Sequence, residues 1–351
     1  MPDRRTFIAG MLAAGLAPRP TWADAGSPAF LSAGKKPDGA YVLCGLTTEG
    51  QITFQLPLPT RGHAAAAHPR LAEAVAFARR PGTYAIVLDC ITGREKARLS
   101  APPGRHFYGH GTYSADGDVL FTTENDFDAA RGVVGIWDAR RDFARMGEFP
   151  SGGVGPHDIK LMPDGASLVV ANGGIETHPE TGRVKLNIPS MRSTLSYLSL
   201  DGELLGQVRL DKAHQKNSIR HLAVSATGDV AFAMQWQGDL AVDLPLLGVH
   251  RIETGRLDLV ERASVRHMSG YLGSVAIAKD GKSIAATSPR AGIVQEFAGA
   301  EYVGETSIAD VCGVAAAASG FVLTSGAGLV KPPSGPDVLH DVAWDNHLIA
   351  I

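Results

Sequence analysis

Apolar residues along this chain come in short runs that alternate with polar positions, and the runs are separated by Asp-Gly, Pro-Asp-Gly or Ala-Thr-Gly turns. That pattern predicts short β-strands joined by tight connections. Six segments stack on one another: RGHAAAAHPR from Arg61, YGHGTYSADG from Tyr108, GPHDIKLMPDG from Gly155, SIRHLAVSATG from Ser218, LGSVAIAKDG from Leu272 and VCGVAAAASG from Val311. Each opens on a small or polar group, runs through alternating small apolar residues and ends in a turn. A second apolar run follows each one, as in AVAFAR, SLVVANGG and DVAFAMQW, and several continue into a third and fourth run. Four short antiparallel strands per unit predict the blade of a β-propeller, whose innermost strand favours small residues because the blades crowd at the axis.

The chain ends on HDVAWDNHLIAI, a seventh copy of the first two runs with nothing after it. Its outer strands are expected near the other end, in AYVLCGLTTEG from Ala40 and QITFQLPL from Gln51. The expected fold is therefore an all-β, seven-bladed β-propeller, closed by pairing N-terminal outer strands with C-terminal inner strands. The sixth unit is short: GLVKPPSGPD is a poor source of two strands. Six blades, or a degenerate sixth, stay open at this point.

The stack also aligns chemistry. At the start of the inner strand stand His63, His110, His157, His221, Ser274 (or Gly273), Gly313 (or Cys312) and His340. Inner strands surround the central channel and their starts share one face, so the five imidazoles are expected to converge at its mouth. Imidazole donates to copper, zinc and iron when neutral. The expected ligands are His63, His110, His157, His221 and His340, with Cys312 as an outside candidate. The competing reading is a polar, water-filled hub in which the histidines bond to one another, to Asp158 and to Asp341.

Loops between second and third strands open on that same face. They carry TTENDFDAARG, with Glu124, and a long insertion, ANGGIETHPETGRVKLNIPSM, with His178 and Lys185. This insertion explains why His157 and His221 are 64 positions apart while the two preceding intervals are 47. Glu124, Asp158, His178, Arg220 and Asp341 are the candidates for supporting or gating such a centre, and Arg220 could instead hold a carboxylate or phosphate. Carboxylate-rich, hard-cation hydrolase sites of propellers fit the imidazole-rich ring poorly.

Composition narrows the setting. The 351 residues are 44% hydrophobic and 20% charged with net charge −3, which excludes the basic footprint of a nucleic-acid binder. After residue 30 nothing approaches the roughly 20 apolar residues of a membrane span. Residues 1–25 read as a twin-arginine leader, with Arg4-Arg5, an apolar stretch from Phe7 to Ala17 and a small-x-small cleavage pattern at Ala23-Asp24-Ala25. A single domain, 26–351, follows, and a periplasmic location is expected. Cys44, Cys90 and Cys312 allow one bridge and a free thiol, or three buried thiols. No Gly-rich phosphate loop, nucleophilic serine motif or Cys-x-x-Cys pair is present.

The leader, GHGTYSADGDVLFTTENDFDAARGVVGIWD, GVGPHDIKLMPDG, ANGGIETHPETGRVKLN, SIRHLAVS and the terminal WDNHL together resemble the bacterial family known as domain of unknown function 1513. That resemblance implies a periplasmic seven-bladed propeller similar to the quinoprotein amine dehydrogenase β-chain. It also implies association with imelysin-like iron-uptake proteins or di-haem oxidoreductases, and hence iron or copper as the bound metal, with zinc as a further candidate.

Overall fold

The computed structural model describes residues 19–79, 84–182 and 184–351. The paired arginines and apolar stretch of the expected leader lie outside the described residues. Within them the chain forms seven four-stranded antiparallel sheets, and helix is confined to one short 3-10 turn at Pro179–Thr181. The innermost strands are Gly62–Ala67, Arg105–Tyr113, Pro156–Leu161, Asn217–Val224, Ser274–Ile277, Val311–Ala316 and Ala343–Ala350. Each touches the inner strands of its two neighbours, and the contacts run round in a closed cycle. The molecule is a seven-bladed β-propeller.

Burial follows position in the blade. Ser274–Ile277 at the hub is buried throughout, whereas Glu301–Ser307 at the rim of the same blade is almost wholly exposed. Neighbouring blades face one another through large buried side chains. Phe232 shares one buried core with Met162 and Tyr197 of the preceding blade, and Phe77 meets Phe107 at 6.3 Å between ring centroids. Each such fully buried aromatic contributes about 1.5–3 kcal/mol relative to exposure, so the interfaces between blades carry the fold. Trp137 and Trp344 belong to this packing, and their indole nitrogens donate to Thr122 Oγ1 and to the Gly328 carbonyl.

Ring closure joins the two ends of the chain, with one change from expectation. The C-terminal segment is a single eight-residue strand, Ala343–Ala350, not two. The second place in that blade is taken by Phe30–Lys35, followed by Tyr41–Leu46 and Ile52–Leu58. Between Trp344 and Leu348 the terminal strand carries two more residues than the facing stretch Ser32–Gly34. The polar WDN stretch is thus absorbed as a bulge rather than spent on a turn. Ser32 Oγ donates to the His347 carbonyl at 3.0 Å and fastens the closure there.

The sixth blade is complete but thin. Its outer strands, Leu329–Lys331 and Val338–Leu339, have three and two residues, and the proline-rich segment between them is their connecting loop. Residues just before the expected cleavage point lie against the first blade: Trp22 is buried and its Nε1 donates to the His68 carbonyl at 2.8 Å. All three cysteines are buried free thiols, and burial pushes each up to about 12. Among the described residues no helix is long and apolar enough to cross a membrane.

Candidate metal centre

Five inner strands carry a histidine at an irregular point of their pairing. The ladder between first and second strands slips between Gly62 and Ala65 around His63, between Phe107 and Gly111 around His110, and between Pro156 and Asp158 around His157. It slips between Ile219 and His221, and between Trp344 and Leu348 around His347. Of the two inner strands without a histidine, Ser274–Ile277 pairs without interruption, whereas Val311–Ala316 slips between Val311 and Val314, around Cys312 and Gly313. A bulge inserts unpaired residues, bends the strand and re-aims a side chain.

The five imidazoles meet. His63 lies 5.0 Å from His110, 5.5 Å from His157 and 4.7 Å from His347 between ring centroids. His110 lies 5.0 Å from His157, and His221 lies 4.8 Å from His157 and 4.7 Å from His347. Two groups can each offer three nitrogens within 4.8 Å of one another: His63, His110 and His347, and His110, His157 and His221. His110 belongs to both.

The donor atoms are what a metal needs. His110 Nε2, His157 Nδ1, His347 Nε2 and both ring nitrogens of His221 are buried with no hydrogen-bond partner among the described residues. Unpaired polar atoms in the interior cost stability, so a cluster of them at one point is unusual in a merely structural hub. Three of the rings are also held in the donating form. Burial first, and then the neighbouring Arg220 and histidines, lower the affinity of His157 for a proton well below normal. Burial and His110 lower His221 to about 3, and burial with His110 and His63 acts likewise on His347.

Among the described residues, Asp158 supplies the buried carboxylate in contact with the cluster. Its Oδ1 lies 3.1 Å from His110 Nδ1 and 3.4 Å from Lys160 Nζ, and its Oδ2 accepts from the Leu222 amide at 3.0 Å. Burial works against the charged form of Asp158, but Lys160 and His110 more than offset it and hold the carboxyl well below its usual range. An ionised acceptor at Nδ1 fixes the tautomer of His110 and points its Nε2 lone pair into the cluster, the arrangement common behind metal-bound histidines.

Above the cluster opens a cavity of about 410 Å³ whose lining includes His63, His157, His221, Arg220, Lys185 and Tyr108. The long insertion reaches this mouth through Ile175, Thr177 and Lys185. Several expected residues lie elsewhere. His340 follows the last outer strand of the sixth blade; its Nε2–H donates to the Gly50 carbonyl at 2.8 Å and its ring packs on Trp344. The place expected for it is held by His347, because the terminal run is one bulged strand and not two. Cys312 turns its thiol between blades, toward the Thr324 and Trp344 carbonyls.

Glu124 is fully buried within the second blade, where Arg145 grips both of its carboxylate oxygens at 2.9 and 3.0 Å. His178 caps the 3-10 turn by accepting from the Glu180 amide, and Asp341 is exposed. Asp158 and Arg220 do border the cluster. Sequence reasoning passed over His347 as a ring member, although His347-Leu-Ile-Ala parallels His221-Leu-Ala-Val. It also passed over Asp345, which is buried beside the mouth and binds Arg61 at 2.6 Å and Arg79 at 3.2 Å.

A family model described as "Protein of unknown function (DUF1513)" matches residues 56–351. Among solved structures, the hydrazine synthase of Kuenenia stuttgartiensis superposes with a TM-score of 0.62 at 12% identity, covering 83% of this chain and 90% of that one. At that identity the likeness is one of fold. No curated protein matches the chain.

Proposed function

Because this chain belongs to the DUF1513 family, whose description carries no activity, we propose from the site itself that the protein binds a first-row transition metal through its hub histidines. The observation that carries this reading is the convergence of five imidazoles from five blades, four of which (His110, His157, His221 and His347) carry a buried ring nitrogen with no hydrogen-bond partner among the described residues. An all-nitrogen, buried set suits copper, iron or zinc and discriminates against magnesium and calcium. Among divalent ions copper is expected to bind tightest, in line with the general order of affinities. The ligands are drawn from His63, His110, His157, His221 and His347, and His110 is held by Asp158. Reading the N-terminal segment as a twin-arginine leader, the protein works in the periplasm, in metal acquisition or a linked redox step. Such a metal would supply Lewis acidity or an electron relay.

The test is elemental analysis of protein exported through its own leader, beside a His157→Ala/His221→Ala variant. The wild type is expected to carry close to stoichiometric copper or iron, and the variant less than about a tenth of it, with the propeller still folded by circular dichroism. Equal metal in both, or none in the wild type after metal-replete growth and in-vitro titration, overturns the proposal. The protein is then a scaffold whose face docks a partner such as an imelysin-like protein.

A further inference from the structure

The cavity above the histidines has a charge pattern that a metal alone does not explain. Its lining includes Arg79, Lys185, Arg220 and Arg290 and, among the described residues, no carboxylate. Four cations in one cavity run against the chain's net charge of −3. Arg79 is drawn to Asp345 behind the wall. Lys185 donates to the neutral Gln237 Oε1, and the Arg290 guanidinium lies 4.4 Å from the centroid of the Tyr271 ring. Among the described residues neither Lys185 nor Arg290 forms an ion pair with a carboxylate. Lys185 is pushed down first by burial and then by Arg220 and Arg290, so these cations feel one another across the cavity.

Two cations such as Lys185 and Arg290, held on a rigid hub with no carboxylate paired to either among the described residues, favour whatever anion enters between them. The rest of the lining narrows the anion. Ile175, Pro289, Tyr108 and Tyr271 add apolar and aromatic surface, while Asn346 and Gln235 offer amide groups. Inorganic phosphate has no carbon body to lay on such surface, whereas an organic acid has both carboxylate and body. The volume, near the low end for small-molecule sites, accommodates a metabolite-sized molecule and not a polymer.

We infer that the mouth of the propeller binds a small organic carboxylate, with Lys185 and Arg290 as its charge partners and the histidine cluster as its floor. That such a ligand lies over a metal rests on the function proposed above; that the mouth binds a carboxylate does not. The ligand's carboxylate enters between the two cations, and its body lies on the tyrosine and proline surface. Charge-assisted bonds of this kind weaken as ionic strength rises.

The experiment titrates succinate, and separately inorganic phosphate, into metal-free full-length protein dialysed clear of chelator, by calorimetry at low and high salt. Succinate is expected to bind the wild type with a Kd below about 1 mM. Lys185→Gln/Arg290→Gln should weaken it at least about tenfold while leaving metal uptake unchanged and without lowering the melting temperature. No succinate binding to the wild type, equal binding by the double variant, or tighter binding of phosphate than of succinate overturns the inference. Since no metal is present in the titration, loss of the metal proposal leaves this result intact. Conversely, failure to bind succinate leaves the metal analysis untouched.

Discussion

Gly109 shows how closely the hub is fitted at the scale of single residues. Its φ of 100° lies where side chains are disfavoured, and a Cβ there would stand 2.5 Å from His63 Cδ2. The residue before one ring histidine is therefore bare so that another can lie against it. Asp158 is the complementary case, a residue whose charge matters more than its volume. Asp158→Asn keeps the shape but removes the ionised acceptor that orients His110. Metal affinity is expected to fall about 10–100-fold with the fold retained, measured by competition against a chromophoric chelator. Four ring histidines were legible because each precedes a short run of small or apolar residues that ends in a turn. His340 satisfied the same local pattern and still lies outside the cluster. Nothing in its immediate neighbours distinguishes a strand entry from a loop that ends at the Gly50 carbonyl.

The β-bulge is the device that matters at the scale of the element. Strands alternate their side chains strictly, so a residue at the hub could face either neighbour blade. Extra residues at Gly62–Ala65, Phe107–Gly111 and Trp344–Leu348 break that alternation where the histidines lie. The turns between strands were visible as Gly-containing signals, and so were most strands. Phe30–Lys35 was not, because FLSAGK is rich in small residues and has no alternation of its own. It is a strand because Ala343–Ala350 and Tyr41–Leu46 flank it. Deleting residues 343–351 removes that partner and opens two blade interfaces at once. The truncated chain is expected to lose its cooperative melt and to elute as aggregates from size exclusion, since the exposed edge of Phe30–Lys35 invites pairing between chains. A folded monomer would mean that the terminal strand is not what closes the ring.

For the whole molecule, the closed ring buries the hub histidines and so sets its response to acid. In the unfolded chain histidines take up protons near pH 6.5. In the folded protein His157, His221 and His347 resist, His221 down to about 3. The unfolded state therefore binds more protons between those limits, and stability present above about pH 6.5 declines as pH falls toward 3. Thermal melts of metal-free protein from pH 7.5 to 4.5 should show a falling midpoint, with a shallower slope in His157→Ala/His221→Ala. A flat profile would mean that the rings are hydrated and not buried. A saturating metal competes with protons for the same nitrogens, so it should raise the midpoint most at the upper end of that range.

The repeated alternation of short apolar runs and glycine turns by itself determined a ring of antiparallel blades closed through the chain ends. That information is local: each strand and turn is encoded within a few residues, and the repeat multiplies a weak signal seven times. The membership of the hub was decided only by tertiary structure. Whether a histidine faces the axis depends on how many residues the neighbouring strand sets against it, and that count is a property of the pair. So WDNHL could be read as a turn until Phe30–Lys35, some three hundred residues earlier in the chain, paired with it and left its extra residues as a bulge. The cationic mouth is likewise a product of the ring, since Arg79, Lys185, Arg220 and Arg290 come from different blades and loops and share a field only once the circle is shut.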